Sequence, residues 1–237
     1  AHCTLVLLVC FRLFRGQEPA TKAVLLMTAT GFNYALFAFP IVEALWGAPG
    51  LQRLAMLDGG NAIILLGVNY LIASWYGALA SGGTPRLSVG YVGRNLARSV
   101  PLVSYAAAIA MNLAGLRLPA PVDSLVGILA QANTPVVLLL LGVYLDLRLD
   151  RAELRRLAAT LAVRYGAGAA SGALCWFLLP FPADYRKVLL AGLLLPVGAS
   201  VGAFAATFGL NRRLASAATN ASLLVSFVLL WAIAVLL

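Results

Sequence analysis

Two stretches decide how this chain folds. One reads Gly31-Phe-Asn-Tyr-Ala-Leu-Phe-Ala-Phe-Pro40-Ile-Val-Glu-Ala-Leu-Trp-Gly47. The other reads Leu193-Leu-Leu-Pro196-Val-Gly-Ala-Ser200-Val-Gly202. Each is an apolar run with a proline inside it. Proline removes a helical hydrogen bond and clashes with the preceding turn, and it biases the residue before it towards extended backbone. A single such proline reads as a kink packed by its neighbours. The pair is more informative, because the sequence behind each member is alike. Gly47 is followed by Arg53-Leu54-Ala55, then Asp58 and Asn61. Gly209 is followed by Arg213-Leu214-Ala215, then Thr219 and Asn220.

The rest of the chain fits around such runs. Of its 237 residues 62% are apolar and 11% charged, with a mean hydropathy of +0.94. A soluble domain averages roughly 45–50% apolar and about 25% charged. Too little polar side chain is present to cover a surface in water. That excludes a soluble enzyme, a disulfide scaffold and a disordered tail, and leaves an all-α polytopic membrane protein. A span with its turn takes on the order of 30 residues, so the length holds about eight spans and no extramembrane domain. The three cysteines, Cys3, Cys10 and Cys175, sit in apolar runs without metal-ligand spacing and read as packing residues. No cofactor is called for. The chain starts at Ala1, inside an apolar run and without an initiator Met. The expectation is a chain truncated at its N-terminus.

Eight segments emerge: 1–14, 21–46, 50–79, 96–115, 121–147, 155–180, 185–210 and 214–237. They are helical because lipid offers backbone groups no partner, and the alternation of a membrane barrel is absent. The formal charge is +9, from 17 Lys and Arg against 8 Asp and Glu. In a multi-span chain such an excess reports orientation, not nucleic acid. Alternate turns hold most of it: Arg12, Arg15 and Lys22; Arg86, Arg94 and Arg98; Arg148, Arg151, Arg155 and Arg156; Arg212 and Arg213. The other turns hold only Arg53, Arg117, Arg186 and Lys187. The basic turns are therefore cytoplasmic, and both chain ends face the non-cytoplasmic side of a cell (inner or plasma) membrane. The two proline-bearing segments lie five apart, so they run in opposite directions. Interrupted helices in matching positions of inverted halves point to the binding site of a secondary transporter.

Further matches complete a family pattern. Asn33, Phe39, Pro40 and Gly47 run into Gly50-Leu51 and Asp58-Gly-Gly-Asn61. Pro135, Leu141, Gly142 and Leu145 follow, then Arg164, Pro196, Phe208-Gly209 and Ser222. In order and spacing these resemble the auxin efflux carrier family, which contains plant auxin carriers and bacterial organic-anion permeases. The resemblance covers nearly the whole chain. It implies ten helices in a 5+5 inverted-repeat fold, with broken helices four and nine crossing at the substrate site. Residues 1–79 would be the end of the first repeat, 80–98 a cytoplasmic linker, and 99–237 the second repeat. Helices one and two would be missing. A homodimer is expected of the full-length protein. Two positions depart from the pattern. Ser200 stands where the family often carries Asn, and residues 1–14 hold no acidic/basic support pair, so auxin itself is not carried over as substrate.

The residues suggest roles. The N-terminus of a half-helix carries partial positive charge, and two such ends at mid-membrane suit a carboxylate. Pro40 and Pro196 would create those ends. Asn33 either donates to the substrate, satisfies freed backbone, or bonds another helix. Asp58 lies roughly 12 Å into its segment at 1.5 Å per residue, with Asn61 on the same face. An ionisable residue at that depth is a functional candidate, as proton carrier, ion ligand or clamp on unwound backbone. Phe39, Ser200 and Asn220 complete the expected substrate site. Glu43, three residues past Pro40, would cap the half-helix or couple protons. Arg164 would snorkel to the interface or attract the anion. Gln131, Asn133 and Thr134 read as glue between helices.

These features predict a secondary transporter of small organic anions such as carboxylates, working by alternating access, with a proton or sodium as possible coupling ion. A sodium-coupled relative of the bile-acid symporters is the alternative, and a non-transporting remnant is another. An intramembrane enzyme is disfavoured, since no metal motif, serine elbow or aspartate pair is present.

Overall fold

Apolar runs in lipid must close their backbone hydrogen bonds internally, and every named element among the described residues is helical. The computed structural model describes residues 2–85, 90, 93–94, 97, 100–143 and 149–236. Arg86, Arg98, Arg148 and Leu145 lie outside these residues. So do most of the expected linker and the side chains of Asn133, Thr134, Pro135, Leu141 and Gly142.

Packing divides the chain into Ala1–Leu87 with Leu145–Leu237, and Ser88–Tyr144. This division by compactness differs in kind from a division into sequence repeats. The larger unit holds α1 (His2–Leu13), α2 (Pro19–Ala29), α3 (Phe39–Ile63) and α4 (Asn69–Ala80) from the first part of the chain. Wide π-helical turns at Tyr34–Ala38 and Ile64–Val68 join α3 to its neighbours, and a kink at Gly47 (φ 63, ψ −166) divides α3 itself. The smaller unit holds α5 (Val100–Leu113) and α6 (Ala120–Val143), joined through Gly115. The larger unit then resumes with α7 (Arg151–Leu178), α8 (Ala183–Leu193), α9 (Ser200–Thr207) and α10 (Arg212–Leu236).

The centre of the larger unit is α2. All residues from Thr21 to Ala29 are buried, Lys22 included, as expected of a central helix packed on every side. It packs against α1, α4, α7, α9 and α10. Val6 and Cys10 of α1, Leu157 of α7, Val201 of α9 and Leu214 of α10 complete its core. Outer faces are apolar too. Leu5, Leu8 and Phe11 on α1, and Phe227, Val228, Trp231 and Val235 on α10, are exposed. Apolar outer faces of this kind suit lipid.

Two features position the site. Gly47 and Gly209 both sit at φ 63, turning the chain just before the two similar stretches. A left-handed backbone is open to glycine and costly for other residues. Each turn follows a helix that itself follows a break in the chain. The second break, residues 194–199, contains Pro196 as the sequence predicts. The first lies at residues 30–33, not at Pro40. Pro40 sits at the start of α3, directly after the π-helical turn. The wide turn accommodates the missing N–H, so the helix runs on through the proline.

The breaks also change how spans are counted. Two stretches among the described residues are long and apolar enough to cross a membrane on their own, Tyr34–Ala80 and Arg212–Leu236. Helix α2 and helix α8 have 11 residues each, which is about 16 Å of rise and half a hydrocarbon core of ~30 Å. A segment made of two half-helices fails a test of single-helix length.

Candidate functional site at the crossing of two broken segments

A break in a helix frees N–H and C=O groups that must find partners when buried. Here the two breaks partner each other. Phe32 and Val197 form an antiparallel bridge, and the Asn33 N–H donates to Pro196 O at 3.0 Å. Gly31 turns through φ 40, and a Cβ there would lie 2.3 Å from Leu65 Cδ2. Leu65, in the second π-helical turn, also closes on Gly198.

Side chains satisfy the remaining groups. Asn61 accepts from the Phe32 N–H at 2.7 Å and donates to Phe32 O at 2.8 Å. Asn61 Nδ2 also donates to Asp58 Oδ1 at 3.1 Å, so Asp58 orients the clamp. Ser222 Oγ accepts from the Val197 N–H at 2.9 Å, and Ser226 Oγ donates to Leu194 O at 2.8 Å. Tyr165 OH holds both serines, meeting Ser222 O and Ser226 Oγ at 2.8 Å each. Thr30 Oγ1 donates to Asn69 Oδ1 at 2.6 Å. The two bridge residues are thus each pinned by the helix that follows the glycine turn beyond their own break, Asn61 after Gly47 and Ser222 after Gly209.

Arg164 binds both breaks at once. Its guanidinium donates to Thr28 O, Thr30 O and Gly31 O on one side. On the other side it donates to Leu195 O and Pro196 O at 3.0 Å each. The side chain is fully buried, with the Phe32 ring 4.4 Å from the guanidinium carbon. Arg164 therefore does not snorkel to an interface, and its terminal nitrogens are committed to backbone carbonyls. Close packing lets it reach. A Cβ on Gly168, one turn along α7, would lie 2.3 Å from Leu193 O.

Asn33 is divided in its bonding. Its Oδ1 accepts from the Leu36 N–H at 3.3 Å and caps the helix after the first break. Its Nδ2 is buried with no hydrogen-bond partner. Ser200 opens α9, the helix after the second break, and its Oγ is likewise buried and unpartnered. Both orphaned groups stand at the start of a half-helix, where partial positive charge collects.

The other expected residues lie further out. Asn220 is buried on α10, two residues before Ser222. Phe39 and Pro40 are half-buried, a turn or more past the first break. Glu43 is exposed on α3, and because its helix begins at Tyr34 it caps no terminus. Asn69, Tyr165, Ser222 and Ser226, with Tyr34, whose OH donates to Gly192 O at 3.0 Å, have contacts at the site that no reading of single residues assigned. One signal was available: Asn69 follows Asn61 by eight residues and Ser226 follows Ser222 by four, each repeating on one helical face.

Interrupted helices that meet at a buried polar site are a feature of many secondary transporters. The comparison of sequences agrees. The profile of the membrane transport protein family matches residues 2–234, and the chain belongs to that family, of auxin efflux carrier type. No protein of curated function matches it.

Proposed function

We propose that this chain carries small organic anions such as carboxylates across a cell membrane by alternating access, binding them at the crossing. The observation that carries this is the Asn33 amide: Nδ2 is a buried donor without a partner, at a helix start that favours negative charge. A buried donor without a partner costs about 1–3 kcal/mol, which an incoming carboxylate would relieve. Ser200 Oγ offers a second unpartnered group at the other helix start.

The wider architecture supports the same reading. We take the two broken segments as equivalent members of two inverted repeats, on the strength of matched glycine turns at Gly47 and Gly209. Eight segments in the membrane follow if each broken pair counts as one. The two packing units would be a moving part, 1–87 with 145–237, and a scaffold, 88–144, that also dimerises. The basic turns support the orientation. Asn211 Nδ2 donates to Glu153 Oε1 at 3.1 Å and to Thr21 Oγ1 at 3.4 Å. Three of those turns thus share one end of the larger unit, which we assign to the cytoplasmic side.

The test is thermal unfolding of the detergent-purified protein across a panel of mono- and dicarboxylates, since a ligand of the folded state raises Tm. At least one carboxylate should raise Tm saturably in the wild type and fail to do so in Asn33→Asp, which keeps the capping oxygen and loses the donor. No shift across the panel, or equal shifts in both proteins, contradicts the reading.

A further inference from the structure

Interrupted helices leave carbonyls without helical partners, and in ion-coupled carriers such carbonyls ligate the coupling cation. Five carbonyls converge here, from Thr28, Thr30, Gly31, Leu195 and Pro196. The group they surround belongs to the chain. We propose that the Arg164 guanidinium is a tethered cation, filling a carbonyl cage that would otherwise take a free monovalent cation.

Three properties of the site support this. First, all five acceptors are neutral, so the cage solvates a positive charge without cancelling it. Second, the occupant is fully buried with its ring-face neighbour Phe32 at 4.4 Å, an arrangement that stabilises a desolvated cation. Third, arginine does not lose its proton in proteins, so the cage stays filled through a transport cycle. The two breaks are then held together by a charge that never leaves, and no sodium is needed at this point. The link to transport rests on the carrier reading above, but the cage itself is testable without any substrate.

The experiment compares the wild type with Arg164→Ala, Arg164→Lys and Arg164→Gln. Thermal unfolding of each full chain in detergent is followed at constant ionic strength, with N-methylglucamine as the background cation. Millimolar ethylguanidinium, sodium or tetramethylammonium is then added. The wild type should show no cation-specific change in Tm. Arg164→Ala should melt several degrees lower and recover saturably with ethylguanidinium, less with sodium, and not with tetramethylammonium, which cannot donate hydrogen bonds. Arg164→Lys, which keeps the charge, should be more stable than Arg164→Gln, which keeps donors without it. A wild-type Tm for Arg164→Ala overturns the proposal, and so does an equal response of both proteins to ethylguanidinium. If Arg164→Ala does not fold, the Lys and Gln variants decide: a lysine protein no more stable than the glutamine protein overturns it. Failure of every carboxylate to bind the wild type would contradict the carrier reading and leave these outcomes unchanged.

Discussion

At the level of single residues, the site is an exercise in satisfying backbone groups that two helix breaks set free. Asn61 answers both the N–H and the C=O of Phe32. Replacing it with leucine removes both partners and leaves two buried groups unpaired, at roughly 1–3 kcal/mol each. Asn61→Leu should therefore lower Tm markedly in a detergent melt. Ser222→Ala withdraws the acceptor for the Val197 N–H and a donation to Thr219 O, leaving one buried N–H unpaired, and should cost less than Asn61→Leu in the same assay. The sequence made Asn61 visible, because a polar residue deep in an apolar run draws notice, and it left a clamp on unwound backbone open as one role for neighbouring Asp58. It could not make Arg164 legible. An arginine eight residues beyond Arg156 looks like a snorkelling side chain until the fold brings both breaks alongside α7.

Among the elements, the breaks and the close contacts decide stability. Pro40 occupies the start of α3 behind a π-helical turn, where its missing N–H is tolerated. Pro40→Ala should change Tm by less than Asn61→Leu or Ser222→Ala. Gly168 is different, since a Cβ there meets the Leu193 carbonyl oxygen at 2.3 Å, and backbone cannot step aside as a side chain can. Gly168→Ala should destabilise by 1–3 kcal/mol or so, in the range of overpacked cores. Gly166 on the same helix has open space around its position, so Gly166→Ala should be neutral or stabilising by about 0.4–1 kcal/mol. Melting the three glycine and proline variants side by side checks all of this. The elements are also where the sequence misled. Pro196 and Pro40 look equivalent as letters, and proline chemistry accounts for the second break. The first break forms around Gly31, whose φ of 40 and contact with Leu65 have no signature in a single apolar run. Tertiary pairing with Pro196 and Val197 holds residues 30–33 out of the helix that local propensity would continue.

For the molecule as a whole, composition pointed to a membrane protein, because 62% apolar residues admit few other solutions, and the absence of barrel alternation made it helical. The matched turns at Gly47 and Gly209 were also legible as repeated sequence. What no linear pattern shows is that the two breaks pair with each other, leaving the Asn33 amide and the Ser200 hydroxyl as the buried groups without partners at the two helix starts. That pairing is what turns two interrupted helices into one site, where we propose a carboxylate binds during transport. Uptake of radiolabelled mono- and dicarboxylates into proteoliposomes tests this, with Asn33→Asp beside the wild type and Tm measured on both. Uptake should exceed that of empty liposomes for at least one acid. It should fall about tenfold or more in Asn33→Asp, at least the size expected for losing a hydrogen bond to a charged group, with the new carboxylate repelling the anion as well. No uptake of any acid by the wild type, or wild-type uptake by Asn33→Asp, would contradict carboxylate binding at the crossing.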